Sequence, residues 1–293
     1  MARPLLAAVI LTRDEQRDLP GCLASLKGVA DEIYVIDSGS RDATVSVAED
    51  AGAVVLTNEF HYQAQQFNWA LDHIGTRAEW LLRIDADERV NKELGHWLRS
   101  RLGELQEEVA GIEVARRIVF MGQELRHGGT FPVWLLRVWR QGRGFCEDRK
   151  MDEHMLVDSG HVLRAGGELL HLIPKSLAEW SHKHVGYAER EVEEILGAGR
   201  DAEPAKRNAR KEATGRRYYR LPPLLRAVGY WGYRYFLRLG FLDGRIGFLY
   251  HFLQGFWYRT LVDGLMEEMS RPGAATDVEA KRMRMRAGGG ELS

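Results

Sequence analysis

The sequence predicts an α/β fold, in which a mostly parallel mixed sheet is flanked by helices and followed by a helical extension rich in basic and aromatic residues. In the first half, short β-branched runs alternate with segments of helical periodicity, the pattern typical of β-α-β units. Polar clusters follow three of the apolar runs, at 12–15, 37–40 and 85–88. From about Ala205 the composition becomes basic and aromatic. We therefore expect one α/β domain and a second region with a different role.

The composition is that of an ordinary globular protein. The 293 residues are 45% hydrophobic and 28% charged, enough for one large α/β domain and an appendage. The two cysteines, Cys22 and Cys146, lie in no spacing typical of zinc or redox sites. A reducing, cytoplasmic compartment is therefore expected.

The predicted elements alternate along the chain between recognisable start and stop signals. Pro20 suits the first turn of a helix, Asp42 can cap a second helix, and Gly52 can end it. In chain order the elements are a strand at 6–11, a helix with Leu19, Cys22, Leu23 and Leu26 on one face, a strand at 32–36, a helix from 42 to 52, a strand at 53–56, a helix with Phe67, Ala70, Leu71 and Ile74 on one face, a strand at 80–84, a helix at 91–102, and strands at 111–121 and 133–139.

No segment of the sequence predicts a membrane span or a cleaved signal. The apolar run 5–11 is followed by charged residues where a signal peptide has a small-residue cleavage site, so we expect a buried strand. The longest charge-free candidate near the C-terminus, 246–258, is too short to cross a bilayer and contains His251 and Gln254.

Asp85 and Asp87 follow a buried apolar run and carry the main chemical signal. Residues two apart in extended backbone point to the same side, so both carboxylates are expected together at the edge where α/β sheets bind ligands. Mg²⁺ or Mn²⁺ would relieve their repulsion and complete its coordination with phosphate oxygens. The alternative is that both acids only solvate the strand end or cap the next helix. The first interpretation predicts a diphosphate substrate.

Asp37 ends the second predicted strand and precedes a turn that contains Gly39. Its carboxylate can accept hydrogen bonds from a ribose or a base, or it can form an Asx turn or a helix cap. No G-x-G-x-x-G follows the first strand and no P-loop motif occurs, which argues against a dinucleotide cofactor and a P-loop. A nucleotide would be bound by another arrangement.

Three segments, 9–15 (VILTRDE), 35–44 (VIDSGSRDAT) and 82–88 (LRIDADE), resemble the family 2 glycosyltransferases with a GT-A fold in order and spacing. The resemblance covers roughly residues 5–200. It implies a nucleotide-diphosphate sugar donor of UDP, GDP or dTDP type. Asp14 departs from the Asn that many members carry before the Glu, so the resemblance leaves the base open.

The resemblance assigns roles to individual residues. Thr12, Glu15 and Asp37 are implied to hold the nucleoside, and Asp85 and Asp87 to hold the diphosphate through Mn²⁺ or Mg²⁺. Two further residues are weaker candidates with a structural alternative. Gln66 resembles a residue of the nucleotide pocket but also suits a polar helix face, and His171 resembles a further metal or diphosphate ligand but also suits a satisfied core histidine.

The family also carries an acidic residue that faces the acceptor. The acidic cluster at 147–154 lies in the corresponding region, which puts Glu153 at the position of the general base and Asp152 second. An inverting transfer needs such a carboxylate to remove the proton of the acceptor hydroxyl as its oxygen attacks, without a covalent intermediate. The alternative for Glu153 is a solvated partner of a neighbouring basic residue.

The region after residue 205 combines basic and aromatic residues. Between Lys206 and Arg245 there are 11 Lys and Arg but only two acids, and 14 of the 28 aromatic residues lie between Tyr218 and Tyr258. This composition suits an anionic membrane interface, with aromatic rings at the acyl boundary and arginines at the headgroups. The alternative is a helical layer packed on the catalytic domain or on a second subunit of a homo-oligomer.

These patterns predict the domain organisation and the biological setting. The segments 240–244 and 250–259 resemble the C-terminal part of family members that build surface polysaccharides or lipid-linked glycans, as in lipopolysaccharide biosynthesis. We therefore expect a glycan or lipid-linked acceptor and a peripheral location at the inner face of the cell membrane. The predicted domains are a GT-A catalytic domain at 1–204, with a nucleotide-sugar half at about 1–105 and an acceptor half at about 106–204, a helical region at 205–271 and a flexible tail at 272–293.

Two other function classes share some of these sequence features. Sugar-phosphate nucleotidyltransferases also combine an α/β nucleotide domain with an acidic metal site, but they would open with a Gly-rich loop, and residues 12–15 contain no glycine. A nucleic-acid-binding protein could use the basic aromatic region for stacking and phosphate contacts. It would leave the paired acids at the strand end without a purpose, so no nucleic-acid partner is expected.

Overall fold

The computed structural model describes residues 3–148, 154–173, 176–201, 218 and 221–270. The chain divides into two compact units, Met1–Pro174 and Lys175–Ser293. This division falls earlier than the boundary that the change of composition indicated at 204, because helix α5 (Leu177–Asp201) packs within the second unit. There, Ala188 and Val192 of α5 form a small core with Tyr258 and Val262.

The first unit is built around a mixed sheet. Its elements are β1 (Leu6–Thr12), α1 (Leu19–Leu26), β2 (Glu32–Asp37), α2 (Thr44–Asp50), β3 (Val54–Thr57), α3 (Gln63–His73), β4 (Trp80–Arg83), β5 (Glu88–Val90), α4 (Lys92–Arg101), β6 (Val109–Phe120), β7 (Gln123–Glu124), β8 (Val133–Arg140), β9 (Gly144–Cys146), β10 (Met155–Val157) and β11 (His161–Ile173). Nine strands of the described chain form one sheet in the order β3-β2-β1-β4-β8-β6-β11-β5, with β7 paired to β6. Strands β9 and β10 form a separate hairpin.

Most of the sheet is parallel. Strand β1 pairs in parallel with β2 and β4, and β2 with β3. Strand β8 runs antiparallel between β4 and β6, and β11 is parallel to β6. The carboxyl ends of β1, β2 and β4 therefore meet at one edge. The predicted α/β class, a mostly parallel mixed sheet flanked by helices, is confirmed.

Apolar helix faces cover both sides of the sheet. Helices α1 and α4 pack on one side and contribute Leu19, Leu23, Leu94 and Leu98 to its core. Helix α3 covers the other side with Phe67 and Ala70. Fully burying a side chain of this size contributes roughly 1.5–3 kcal/mol to the stability of the fold. The apolar helix faces that the sequence periodicity predicts therefore stabilise the packing of the helices on the sheet.

Strand β11 was not predicted from the sequence, because two glycines interrupt its apolar pattern. Gly166 and Gly167 lie in a bulge where the register with β6 shifts between Arg164 and Glu168. They are therefore part of a strand. Gly167 has a φ of +86°, and a Cβ added there would lie 2.1 Å from the backbone nitrogen of Leu94. The bulge lets β11 pass against the start of α4.

The second unit is helical in its described residues. After α5 it contains α6 (Leu225–Gly232), a π-helical segment (Tyr233–Leu237), a 3-10 turn (Gly240–Asp243), α7 (Gly244–Phe252), a second π-helical segment (Leu253–Trp257) and α8 (Tyr258–Ser270). The buried guanidinium of Arg226 pairs with Asp263, with Nε 2.8 Å from Oδ1, and so joins α6 to α8. Across the described helices, none combines the length and the apolar character needed to cross a bilayer.

We expect Gly167→Ala to lower the free energy of unfolding of the first unit by about 2–4 kcal/mol, through backbone strain and the clash with Leu94. Urea unfolding monitored by circular dichroism measures this change. Gly103→Ala is the matched control, because its Cβ would make only an ordinary 3.8 Å contact with Leu5. Equal effects of the two substitutions would contradict this account of the bulge.

Candidate active site

The two aspartates of the Asp85-Ala86-Asp87 segment lie in a tight turn at the carboxyl edge of the sheet. The turn links β4 to β5, and the amide of Glu88 closes it by donating to the carbonyl oxygen of Asp85 at 2.8 Å. Strand β4 ends at Arg83, so the segment is not the extended backbone that we expected. The turn directs the carboxylates to different partners, Asp85 to Arg137 and Asp87 to His171.

Arg137 is the cation that the acids of this turn contact. Its Nη2 lies 2.8 Å from Oε1 of Glu88 and 3.2 Å from Oδ2 of Asp85. Glu88 is fully buried, and its Oε2 accepts a hydrogen bond from the amide of Asp85 at 3.2 Å. Arg83 adds a second guanidinium 3.9 Å from Asp85. Protein cations thus reduce the repulsion between the carboxylates of Asp85 and Glu88.

A bulge in β8 brings Arg137 to the turn. Val138 pairs with Ile112 of β6 and Leu136 with Glu113, so Arg137 is the extra residue between them. An extra residue breaks the alternation of a strand and re-aims its side chain. Accordingly, Val138 belongs to the core on one face of the sheet, whereas Leu136 packs against the core on the other face.

The arginines affect the proton affinities of Asp85 and Glu88 in opposite ways. Burial would raise the pKa of Asp85, but the guanidinium groups of Arg137 and Arg83 outweigh burial and hold this pKa well below its usual range. At Glu88 burial prevails over the attraction of Arg137, and the pKa is raised. Burial would lower the pKa of Arg137, but Glu88 and Asp85 raise it. Arg137 therefore stays charged, and Asp85 stays ionised beside it.

Arg89 holds the backbone of the turn against the first helix. Its Nη1 donates to the carbonyl oxygens of Ala86 and Glu88 at 2.9 and 2.8 Å, and its Nη2 donates to that of Asp18 at 2.8 Å. Gly21 makes room for this guanidinium, because a Cβ there would lie 2.5 Å from Nε of Arg89. The position of the acidic turn is thus fixed from the side of α1.

Asp87 and His171 form the part of the site that suits a divalent ion. Oδ2 of Asp87 lies 3.4 Å from Nε2 of His171, and both side chains are partly exposed. Strand β11 holds the pair together, because the amide of Leu172 donates to the carbonyl oxygen of Asp87 at 2.9 Å. Carboxylate oxygens are preferred ligands of Mg²⁺ and Mn²⁺, imidazole nitrogen suits the transition metal Mn²⁺ better than Mg²⁺, and neighbouring ligands of an octahedral ion are about 3 Å apart. The two residues therefore fit an ion that takes its other ligands from a substrate.

The described residues alone do not supply a complete metal site. Within the described part of the chain, no group of three or more His, Cys, Asp or Glu side chains is arranged to hold a metal ion. Asp85 is held by arginines, which leaves Asp87 and His171. An ion at this position would depend on phosphate oxygens or water for the rest of its coordination.

Asp37 organises the turn that follows β2. Its Oδ2 accepts hydrogen bonds from the amides of Gly39 and Ser40 at 2.9 and 2.8 Å. Its Oδ1 accepts from the hydroxyls of Ser40 and Thr12. Asp37 and Thr12 are both buried. The carboxylate therefore forms an Asx turn, and its acceptor positions are used within the protein.

Gln66 is buried in α3 and joins two loops of the same edge. Its Nε2 donates to the hydroxyl of Ser38 and to the carbonyl oxygen of Asn58, both at 3.2 Å, and its Oε1 accepts from the amide of Asn58 at 2.7 Å. Glu15 lies half-buried in the loop after β1, where its backbone amide donates to the hydroxyl of Thr44 at 2.8 Å. These contacts hold the loops at the carboxyl edge of the sheet in place.

The two candidates for the general base, Glu153 and Asp152, lie outside the described residues. The described residues on either side of them belong to the hairpin of β9 and β10, in which the amide of Glu147 donates to the carbonyl oxygen of His154 at 2.8 Å. Asn68 of α3 fixes this hairpin through two hydrogen bonds to the backbone of Cys146, at 2.8 and 2.9 Å. The role of Glu153 stays a prediction.

Sequence reasoning did not single out Arg137 or Glu88 as residues of the site. A signal was present, because Arg137 stands alone in the apolar strand 133–139, and arginine is almost never fully buried unless it is paired. The sequence could not identify the partner, because β8 reaches the acidic turn only through the sheet topology and the bulge.

Comparison with known proteins places the chain among glycosyltransferases. Residues 7–161 match the family profile described as Glycosyl transferase family 2. The lipopolysaccharide core biosynthesis glycosyltransferase LpsC of Rhizobium meliloti (strain 1021) is 31% identical over 248 residues, which are 82% of each chain. A glycosyltransferase of Rickettsia bellii (strain RML369-C) is 37% identical over 89 residues, about 30% of each chain.

Solved structures of glucosyl-3-phosphoglycerate synthase from Mycobacterium tuberculosis are also similar over part of the chain. The complex of that enzyme with Mn²⁺, UDP and glucosyl-3-phosphoglycerate aligns at 18% identity with a TM-score of 0.31. The complex with Mg²⁺ and UDP aligns at 20% identity with a TM-score of 0.32. The first alignment spans 41% of this chain and 45% of the solved chain, so less than half of either protein is matched.

We expect Arg137→Gln to lower the free energy of unfolding by about 3–5 kcal/mol at pH 7, because it leaves the buried carboxylate of Glu88 and the partly exposed carboxylate of Asp85 without their main cation. Burial already raises the pKa of Glu88, and losing the attraction of Arg137 raises this pKa further, so the penalty is largest at neutral pH and shrinks as Glu88 takes up a proton. Urea unfolding at pH 7 and pH 4.5 measures both effects.

Arg164→Gln is the control for this substitution. Arg164 is exposed and pairs with Glu113 at 3.0 Å, and such surface pairs contribute about 0–1 kcal/mol. A penalty for Arg137→Gln that is equally large at both pH values would contradict the electrostatic role of Arg137.

Proposed function

This chain belongs to glycosyl transferase family 2, and from that premise we propose that it transfers a sugar from a nucleotide-diphosphate sugar to a hydroxyl group of a lipid-linked or polysaccharide acceptor. We propose a single in-line displacement that inverts the anomeric centre. The observation that carries the proposal is the acidic turn at the carboxyl edge of the parallel strands, where Asp87 and His171 stand beside a pair of arginine-bound acids.

We propose that Asp87 and His171 would hold Mn²⁺ or Mg²⁺ together with the donor diphosphate. When bound, the ion would neutralise the negative charge that develops on the leaving diphosphate. Asp85 keeps its charge through Arg137 and Arg83 and adds a negative potential beside the pair. Arg137 and Arg89 keep the turn in place, so that the carboxylate of Asp87 stays next to the ring of His171.

The nucleoside is proposed to lie beside the loops after β1 and β2. Thr12, Glu15 and Asp37 stand at this edge, and the hydrogen bonds of Asp37 support a role in shaping the turn rather than a direct contact through its occupied oxygens. Gln66 supports the same edge through its hydrogen bonds with Ser38 and Asn58. The base is left open among uracil, guanine and thymine.

Glu153 is proposed as the general base, with Asp152 as second choice. The base would accept the proton of the acceptor hydroxyl while its oxygen forms a bond to the anomeric carbon. The bond from that carbon to the diphosphate oxygen breaks in the same step, and the nucleoside diphosphate leaves with the electron pair. Donor binding would then depend on Asp87 and transfer on Glu153.

A surface glycan or its lipid-linked precursor is the proposed acceptor. The similarity to a lipopolysaccharide core biosynthesis glycosyltransferase over 82% of the chain supports this class. A peripheral position at the inner face of the cell membrane is proposed to bring the enzyme to such acceptors. Family membership favours glycosyl transfer over sugar-phosphate nucleotidyl transfer and over nucleic-acid binding.

We expect Asp87→Ala to weaken the Mn²⁺-dependent binding of a nucleoside diphosphate by about 100-fold or more, because it removes a metal ligand. His171→Ala is expected to weaken it by about 10-fold to 100-fold. Titration calorimetry with UDP, GDP and dTDP, with and without Mn²⁺, measures these affinities. Asp72→Ala, an exposed carboxylate on α3, is the control. Unchanged Mn²⁺-dependent affinity in Asp87→Ala would exclude the proposed metal site.

We expect Glu153→Gln to retain donor binding and to reduce transfer by at least about 100-fold, because the amide cannot take up the acceptor proton. Single-turnover transfer of a radiolabelled sugar measures the rate, and the same calorimetry measures donor binding. Asp152→Asn is the paired variant. Loss of transfer in Asp152→Asn with full activity in Glu153→Gln would move the role to Asp152.

A further inference from the structure

The second unit contains a helical hairpin whose tip exposes large apolar side chains. Helix α6 and the first π-helical segment form one arm, and α7 with the second π-helical segment forms the other. The hairpin tip, residues 233–248, has several exposed apolar residues, and the exposed fractions are 76% for Leu237, 55% for Phe236 and 55% for Leu242. Leu239, Phe241 and Phe248 are also exposed. Exposed apolar surface of this kind marks an interaction site.

The interior of the hairpin tip is filled, so these side chains have no space to turn inward. A Cβ added to Gly240 would lie 2.6 Å from the ring of His251, which is fully buried. A Cβ added to Gly247 would lie 2.5 Å from the side chain of Asp243. The two glycines let the 3-10 turn close tightly on α7, and the tight turn presents Phe241 outward.

Aromatic packing stiffens the hairpin behind its tip. The rings of Trp231 and Tyr235 stack with centroids 5.6 Å apart, and Phe248 meets the ring of Tyr235 edge-on at 5.6 Å. Gly255 brings the second arm against Trp231, because a Cβ there would lie 3.3 Å from the Cα of Trp231. The apolar tip is therefore the end of a packed hairpin.

The exposed charges of the hairpin tip are all positive. Arg238 and Arg245 are exposed among the apolar residues. Asp243 is the only acid between residues 221 and 262, and it is buried. The sequence just before the hairpin, 206–220, adds seven Lys and Arg against one Glu. The hairpin tip thus combines exposed apolar side chains with the exposed positive charges of Arg238 and Arg245.

We propose that the hairpin tip inserts into the headgroup region of a bilayer that contains anionic lipids. Apolar side chains would enter the acyl boundary while the arginines contact lipid phosphates. A second copy of this chain fits less well, because a twofold contact through the tip would place like charges of Arg238 and Arg245 close together. The inference rests on the proposed membrane location and names the segment that makes the contact.

Sedimentation with vesicles tests the apolar part of the contact. The full chain should bind vesicles of phosphatidylglycerol and phosphatidylethanolamine, and Leu237→Ser with Leu242→Ser should lower its partition coefficient by at least about tenfold. Leu225→Ser is the matched control, because Leu225 is 66% exposed but lies about 18 Å away along the same arm. Equal losses in the double variant and in the control would overturn the proposal.

Charge substitutions test the headgroup contact. Arg238→Gln with Arg245→Gln should weaken binding to the anionic vesicles by about tenfold or more at low salt. Lys27→Gln with Arg77→Gln removes the same charge from exposed positions of the first unit and should have little effect. Equal losses in both double variants would overturn the assignment of the contact to the hairpin tip.

Nucleoside diphosphate binding should be unchanged in all four variants, which separates this proposal from the catalytic one.

A fluorescent label tests insertion directly. Cys22 and Cys146 are buried, so a thiol-reactive, environment-sensitive dye will react selectively with the cysteine that Leu237→Cys introduces. Anionic vesicles should shift its emission to the blue, with no shift for the same dye at Leu225→Cys. A shift that grows with protein concentration without vesicles would instead identify a second copy as the occupant. An unshifted emission with bound vesicles would show that the tip does not insert.

Discussion

The ion cluster of Asp85, Glu88 and Arg137 is the constraint on which the first unit depends. The acidic turn lies at the edge where the parallel strands end, and there it brings two carboxylates into a partly or fully buried environment. A buried charge without a partner costs several kcal/mol, a large part of the 5–15 kcal/mol that stabilises a typical domain. The bulge of β8 and the space left by Gly21 both serve to keep cations at this turn. The candidate active site and the stability of the sheet are therefore coupled.

Much of the fold could be predicted from the sequence, because periodicity reports burial. The faces marked by Leu19, Leu23, Phe67 and Ala70 are buried as expected, and the mostly parallel sheet follows from the alternation of strands and helices. Strand β11 escaped prediction because its glycines serve a bulge against α4, a contact between distant segments. Sequence periodicity carries no information about such contacts.

The sequence predicted where the candidate site lies, but it predicted only part of the contacts that its carboxylates make. The sequence brings Asp85, Asp87 and Asp37 to one edge, but the number of groups that each carboxylate contacts depends on neighbours from other strands. Arg137 forms an ion pair with Asp85, and a backbone amide of the turn after β2 donates a hydrogen bond to Asp37. In the same way, counting basic residues in the C-terminal region overestimates its exposed charge, because Arg226 is buried against Asp263. Only the fold separates internal ion pairs from charges that meet a ligand or a lipid.

The central claim is that the acidic residues of the turn have different partners and different roles. Arg137 contacts both Asp85 and Glu88, and we propose that Asp87 and His171 bind an ion and a diphosphate. Anomalous diffraction at the manganese edge, from crystals grown with Mn²⁺ and a nucleoside diphosphate, tests it most directly. We expect one peak bound by Asp87 and His171, with Arg137 still in contact with Asp85. A peak bound by Asp85 with Arg137 displaced, or no peak at this turn, would contradict it.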